Sequence, residues 1–93
     1  MVHAFVLIEA EPARVADLAA ELVETPGVTE VYSVAGQLAD LVAIVRVRRH
    51  DDLADVVTGG IGRLTGIVST STMVAFQAFS KHDLESMWDV GPR

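Results

Sequence analysis

Short apolar runs and amphipathic segments alternate along the chain, and this pattern predicts a mixed domain of strands and helices. Residues 2–9, VHAFVLIE, are rich in β-branched and aromatic side chains and predict a first strand. Residues 12–24 have apolar positions at helical spacing after a proline, and Pro26-Gly27 ends this predicted helix. Residues 28–35 and 41–47 predict the second and third strands.

The second half of the chain repeats this order. Residues 51–64 predict a helix that Asp51 or Asp52 can cap, although three glycines weaken its C-terminal half. Residues 67–79 predict a long fourth strand, and the residues after Ser80 a short terminal helix. A glycine followed by β-branched residues enters both the second and the fourth strand, which is a faint internal repeat.

The order strand–helix–strand–strand–helix–strand predicts a ferredoxin-like α+β fold. This βαββαβ sandwich has one four-stranded antiparallel sheet with two helices on one face, here followed by a short C-terminal helix. The predicted domain covers residues 1–80, and residues 81–93 form a tail.

The first and third predicted strands are apolar on both faces. In the first strand Val6 and Ile8 share one face, while Phe5 and Leu7 share the other. An antiparallel strand with one face in water should instead alternate between apolar and polar residues. Because two helices cover only one face of the sheet, the other face predicts an interaction surface, and two sheets packed face to face would form a dimer.

Composition and charge narrow the possible functions. The 93 residues form one domain, and 51% of them are hydrophobic. A net charge of −6 argues against direct binding of nucleic acid, and the cluster around Arg46, Arg48 and Arg49 is interpreted as a solvated strand end. There is no cysteine, no apolar run long enough for a membrane span and no secretory signal, so a cytoplasmic protein is expected.

No set of catalytic or metal-binding residues is evident in the sequence. The three histidines stand far apart, and His50-Asp51-Asp52 is interpreted as a helix start rather than a metal site. The glycine-rich TGGIG segment lies in a predicted helix, whereas a phosphate loop joins a strand to a helix. Neither a cofactor nor a metal is therefore expected. Thr70 and Thr72 place two hydroxyl groups on one face of the fourth strand.

Four short motifs resemble the effector-binding domain of the Lrp/AsnC regulators of amino-acid metabolism, also called the RAM domain. That family has PGV after the first helix, a G-x-[YF]-D turn, a GV pair and then T-x-T in the last strand. The corresponding residues here are Pro26-Gly27-Val28, Gly36 with Asp40, Gly66-Ile67 and Thr70-Ser71-Thr72. The resemblance covers residues 2–79, but the turn is one residue longer, has no aromatic residue before Asp40, and no DNA-binding helix-turn-helix accompanies it.

The resemblance implies a non-catalytic module that binds an amino acid and forms homodimers and higher oligomers in transcriptional regulation. It implies a ligand site between neighbouring dimers, in which the turn donates backbone N–H groups to the ligand carboxylate. Asp40 would accept from the ammonium group, and threonine hydroxyls would complete the site. The implied ligand-binding residues are Gly36, Gln37, Leu38, Ala39, Asp40, Thr70 and Thr72.

Three other interpretations remain open at this stage. A dimeric α/β-barrel enzyme of the monooxygenase or haem-degrading kind has a similar architecture and few catalytic residues. A structural module could assemble with a full-length Lrp-type regulator through the bare sheet edge or through Trp88, since tryptophan is a frequent interface anchor. An ACT-type amino-acid sensor has the same strand order.

Overall fold

The computed structural model describes residues 1–81 and confirms the ferredoxin-like α+β fold. Two single turns of 3-10 helix flank the helices, at Pro12–Arg14 and Ile61–Arg63, and a π-helical segment, here called the π turn, covers Asp55–Gly60. The remaining elements are β1 (Val2–Ala10), α1 (Val15–Val23), β2 (Val28–Ser33), β3 (Leu41–Val47), α2 (His50–Ala54) and β4 (Ile67–Val74). The predicted terminal helix and Trp88 fall outside the described residues.

The four strands form one antiparallel sheet in the order β2-β3-β1-β4. β1 is central, so that Ile8 pairs with Leu41 of β3 on one side and with Thr70 of β4 on the other. β2 and β4 are the two edge strands. This topology places the β2–β3 loop and the beginning of β4 at the same end of the sheet.

The helices cover the sheet face that carries Ala4, Val6 and Ile8, as the alternation along β1 predicts. Leu18 and Leu22 of α1 are fully buried against this face, and Leu53 of α2 joins them. Full burial of an aliphatic side chain contributes about 1.5–3 kcal/mol, so this shared layer supplies most of the stability of the domain.

The predicted helix over residues 51–64 is confirmed in extent, since the chain is helical from His50 to Arg63, but only its first turn is α-helical. α2 ends at Ala54, and the chain continues through the π turn and a 3-10 turn. A Cβ atom on Gly60 would lie 2.7 Å from Cγ2 of Thr25, so the glycine permits close packing of the π turn against the α1–β2 loop. The predicted aspartate cap is wrong, because Arg49 occupies the N-cap position and no side chain caps the helix.

Two predicted strands end earlier than their sequence pattern indicates. β2 ends at Ser33 rather than at residue 35, and β4 ends at Val74 rather than at residue 79. The Ala75 N–H still donates to the carbonyl of His3 (2.9 Å), but β1 begins at Val2 and offers little backbone beyond that point. The segment after β4 therefore leaves Phe76 fully exposed and Phe79 71% exposed.

Equivalent glycines open β2 and β4, which gives the internal repeat a structural basis. Gly27 and Gly66 have φ angles of 93° and 92°, in the left-handed region that glycine adopts without steric cost. Each reverses the chain between a helical segment and the strand that follows. No helix within residues 1–81 has the length and apolar character needed to cross a membrane.

Candidate effector-binding site

The loop between β2 and β3 is closed at its base and tied to β1. The Val34 N–H donates to the carbonyl of Asp40 (3.0 Å), and the Asp40 N–H donates to the carbonyl of Ile8 (2.8 Å). These bonds hold the predicted ligand turn, Gly36–Asp40, at the end of the sheet. Its base is therefore fixed by the sheet, while its tip extends beyond the strands.

The carboxylate of Asp40 has a structural partner. Its Oδ2 atom accepts a hydrogen bond from the backbone N–H of Ala10 (2.9 Å). Ala10 is buried, and the pairing of β1 with β3 ends at Ile8 and Leu41, so this N–H meets no regular ladder partner on β3. Asp40 thus satisfies a buried donor with one oxygen, and a carboxylate has further acceptor positions.

The tip of the loop offers a row of unpaired backbone donors. Within residues 1–81, the N–H groups of Gly36, Gln37, Leu38 and Ala39 have no hydrogen-bond partner. Leu38 is 82% exposed, whereas Ala39 is buried and anchors the loop. A Cβ atom on Gly36 would have no neighbour within 4 Å, so the backbone at this position faces open space.

Thr70 and Thr72 lie on the same side of the sheet as the helices, because they pair with Ile8 and Val6. Both are exposed, since the two helices do not extend over β4. β1 separates β4 from β3, and two strand spacings correspond to roughly 10 Å. One chain therefore does not bring the threonines into hydrogen-bond contact with the Gly36–Asp40 turn.

Arg14, in the 3-10 turn that precedes α1, positions the start of β4. Its Nη2 atom donates to Glu21 Oε2 (2.8 Å) and its guanidinium reaches the carbonyl of Thr65 (3.3 Å). A Cβ atom on Gly66 would lie 2.7 Å from Cγ of Arg14, so the side chain packs closely over the glycine. The helical pattern gave no signal of this role, since it depends on a segment some fifty positions away in sequence.

Two concave regions of the described part of the chain lie away from the predicted ligand residues. A cavity of about 140 Å³ lies beside Met1, His3 and residues 75–78, and an open hollow of about 300 Å³ lies beside Pro26 and the π turn. No group of three potential metal ligands occurs within residues 1–81. The predicted site is therefore an exposed surface in a single chain.

The sheet face opposite the helices, here called the open face, carries an apolar stripe across all four strands. Phe5 pairs with Ile44 and with Met73, and Leu7 pairs with Val42. Phe5 and Met73 are exposed in the single chain, and Tyr32 of β2 continues the stripe.

A polar cluster borders this stripe on β2. The Tyr32 hydroxyl donates to Glu30 Oε2 (2.7 Å), and Arg46 lies 4.0 Å from the other carboxylate oxygen. The hydrogen bond to Glu30, and then the negative charge of that carboxylate, raise the pKa of Tyr32 above its usual value of 10.0.

Comparison with known proteins identifies the domain. The family model for the Lrp/AsnC ligand binding domain matches residues 3–84, which is most of the chain. The chain belongs to the Lrp/AsnC ligand-binding domain family. This confirms the resemblance to that family. It also confirms the expectation of a non-enzymatic domain, because the family consists of ligand-binding modules of regulators.

Three relatives show how this Lrp/AsnC domain occurs in other proteins. TTHA0845 from Thermus thermophilus is 47% identical with a TM-score of 0.81, over 87% of this chain and all of that one. The HTH-type transcriptional regulator FL11 from Pyrococcus furiosus is 28% identical over 80% of this chain. The chain spans about half the length of FL11 (48%). A feast or famine regulatory protein from M. tuberculosis, complexed with L-methionine, is 28% identical with a TM-score of 0.70, over 87% of this chain and 54% of that one.

Proposed function

We propose that this Lrp/AsnC domain binds a free amino acid as its effector, in a site shared between copies of the chain. The observation that carries the proposal is the row of unpaired N–H groups at Gly36–Ala39 beside the Asp40 carboxylate. Such a loop offers N–H donors for a ligand carboxylate and, within the same short stretch of chain, an acceptor for a ligand ammonium group. An α-amino acid carries both groups on a single carbon atom, which few other small molecules do.

The separation of the predicted residues supports a site between copies. The loop and the two threonines lie on either side of β1 in one chain, so the loop of one chain and the threonines of another could contact the same small ligand. The similar regulator from M. tuberculosis was solved with L-methionine, which supports an amino acid as the effector class.

The open face provides a way for two copies to associate. Burying its apolar stripe against the same stripe of a second copy would remove Phe5 and Met73 from water. Sheets that pack face to face lie about 10 Å apart with interdigitated side chains, which suits side chains of this size. The same face would also accept the equivalent domain of a full-length Lrp-type regulator, through which this chain would act in transcription.

Thermal unfolding against each of the twenty amino acids tests the effector. A ligand present at about one hundred times its Kd adds roughly 2.7 kcal/mol, which raises the midpoint by about ten degrees for a domain of this size. We expect a selective shift in the wild type that is lost in Thr70→Val. Ser71→Ala, on the opposite face of the same strand, is the matched control and should respond like the wild type.

Particle mass tests the association of the open faces. Phe5→Lys would place a charge at the centre of the apolar stripe and should reduce the particle mass by half. Val23→Lys, which adds the same charge at an exposed apolar position of α1, should leave the mass unchanged. If no amino acid raises the unfolding midpoint while the oligomer stays intact, the effector proposal is wrong. The domain would then serve only in assembly.

A further inference from the structure

The open hollow beside the π turn combines an apolar surface with one residue of each charge. It is lined by Pro26, Asp55, Val56, Gly59, Gly60 and Arg63. Gly59 and Gly60 contribute no side chains, so the surface between the two charged residues is left uncovered. With a volume of about 300 Å³, the hollow has room for a large side chain.

Neither charged residue of the hollow has a partner in the part of the chain that the structure describes. Arg14, Arg46 and Arg49 each lie within 4.0 Å of a carboxylate, whereas Asp55 and Arg63 make no ion pair and no side-chain hydrogen bond there. Both are exposed to solvent. This arrangement suits a peptide segment that carries an apolar side chain, an acidic residue and a basic residue.

Residues 82–93, here called the C-terminal segment, carry this combination. The segment contains the only tryptophan, Trp88, directly before Asp89, and Arg93 follows four positions later. Four extended residues span about 13–14 Å. The eight helical positions from Asp55 to Arg63 correspond to roughly 12 Å. The acidic and the basic residue are therefore similarly spaced in the segment and in the hollow.

We propose that the C-terminal segment packs onto the hollow of its own chain. Asp89 would then pair with Arg63, and its neighbour Trp88 would cover the apolar surface. Exposed ion pairs contribute little on their own. The charges would thus fix the position of the segment, while burial of the large indole ring would supply most of the stabilisation.

The described chain brings the C-terminal segment to the correct end of the sheet. Ala78 and Met1 line one cavity, so the chain lies beside the beginning of β1 shortly before the segment starts. The beginning of β1 pairs with the end of β3, where Cγ1 of Val47 lies 3.4 Å from the position of a Cβ atom on Gly27, next to Pro26 in the hollow. The ten residues after Ala78 can span about 33 Å, several times the spacing of about 4.8 Å between two strands.

Fluorescence of Trp88 tests the contact in the full chain, because no other tryptophan contributes. The wild type should emit at a shorter wavelength than the urea-unfolded protein. Arg63→Glu should shift the emission towards that of the unfolded protein, and Arg63→Glu/Asp89→Arg should restore it. Arg48→Glu is the matched control, since Arg48 is also exposed and without an ion pair in residues 1–81, and it should leave the emission unchanged. If Arg63→Glu has no effect, or the double variant does not restore the emission, the proposal is wrong.

A disulfide tests the contact within one chain, because the protein has no cysteine of its own. Gly59→Cys/Val90→Cys should lose both free thiols under mild oxidation and keep the mass of a single chain on a denaturing gel. A Cβ atom at Gly59 meets no atom within 4 Å, and the same holds for Gly36 at the opposite end of the sheet. Gly36→Cys/Val90→Cys is therefore the matched control and should keep its thiols.

A covalent dimer of Gly59→Cys/Val90→Cys would show that the segment of a second copy occupies the hollow, and equal loss of thiols in both variants would show no preference for it. Either result contradicts the proposal. Neither test involves an amino acid, so failure here would leave the effector proposal unaffected.

Discussion

Asp40 shows how a single side chain can connect a ligand loop to the sheet. The sequence suggested this carboxylate as an acceptor for a ligand ammonium group, on the basis of family resemblance. The structure shows that one of its oxygens accepts the buried N–H of Ala10. Asp40 therefore fixes the loop whether or not a ligand is bound. A substitution of Asp40 would change both the stability of the loop and its contact with a ligand, so different variants are needed to distinguish these two effects.

Asp40→Ala should lower the free energy of unfolding by about 1–3 kcal/mol, because the Ala10 N–H loses its partner while it stays buried. Asp40→Asn keeps an acceptor oxygen at the same position and should recover most of this loss. Urea unfolding of the three proteins measures the difference. Equal destabilisation by both variants would show that the charge of Asp40, rather than its hydrogen bond, stabilises the loop.

Two glycines offer a contrast between a structural and a functional role. Gly27→Ala should destabilise the domain by more than about 1 kcal/mol, because φ is 93° and the new Cβ would lie 2.5 Å from Cγ2 of Val56.

In Gly36→Ala the new Cβ meets no atom and the residue needs no left-handed φ, so this variant should stabilise the chain by about 0.4–1 kcal/mol. If the effector approaches this backbone, Gly36→Ala should also weaken the response to it. A thermal shift in Gly36→Ala as large as that of the wild type would place the ligand elsewhere.

At the scale of elements, the strands were more predictable than the second helix. Residues that alternate along β1 and β3 define two faces by their spacing alone, and the structure has the same two faces. The π turn has no such signature, and its packing beside Thr25 involves residues that are far apart in sequence. The end of β4 likewise depends on where β1 begins, and the partner of Asp40 is a backbone group that no side-chain pattern reveals.

The candidate site was predictable only through its family motifs. The sequence placed the Gly36–Asp40 turn and the two threonines on the correct elements, but it could not show that β1 keeps them apart within one chain. The role of Arg14 at the start of β4 was missed, since a charged residue on a helix face gives the same pattern with or without a distant partner.

The π turn offers a prediction at this scale. A Cβ atom on Gly59 would have no neighbour within 4 Å, whereas one on Gly60 would meet Thr25. Gly59→Ala should therefore stabilise the domain by up to about 1 kcal/mol, through the higher helix propensity of alanine. Gly60→Ala should destabilise it. Urea unfolding compares the two, and equal effects would mean that the contact with Thr25 does not maintain the π turn.

At the scale of the whole molecule, the charged and the apolar surfaces lie on different sides of the domain. Charged residues are frequent on the helices and β2 carries Glu30, while the open face and β4 are largely uncharged. Glu30, Tyr32 and Arg46 form a polar boundary beside the apolar stripe.

The polar cluster of Glu30, Tyr32 and Arg46 predicts how the stability of the protein changes at alkaline pH. Ionisation of Tyr32 removes its hydrogen bond to Glu30 and adds a second negative charge, so its folded pKa lies above 10.0. The stabilising contribution of this pair is present below pH 10 and is lost as the pH rises through the folded pKa. Tyr32 is the only tyrosine, so a titration of ultraviolet absorbance reports it directly. Glu30→Ala should return the pKa towards its usual value, and an unchanged titration would contradict the role of Glu30.

The hydrogen bonds at the end of the sheet connect the ligand loop to β4 through a very short path. Asp40 accepts the hydrogen bond of the Ala10 N–H, and the N–H of the next residue, Glu11, donates to the carbonyl of Gly66 (2.8 Å), directly before β4.

If association of copies strengthens effector binding, the effector must strengthen association by the same factor. The effector concentration needed for half-saturation should then fall as the protein becomes more concentrated. The abundance of the protein in the cell would thus set the nutrient level to which it responds, and expression level alone could retune the regulator without any change in its binding residues.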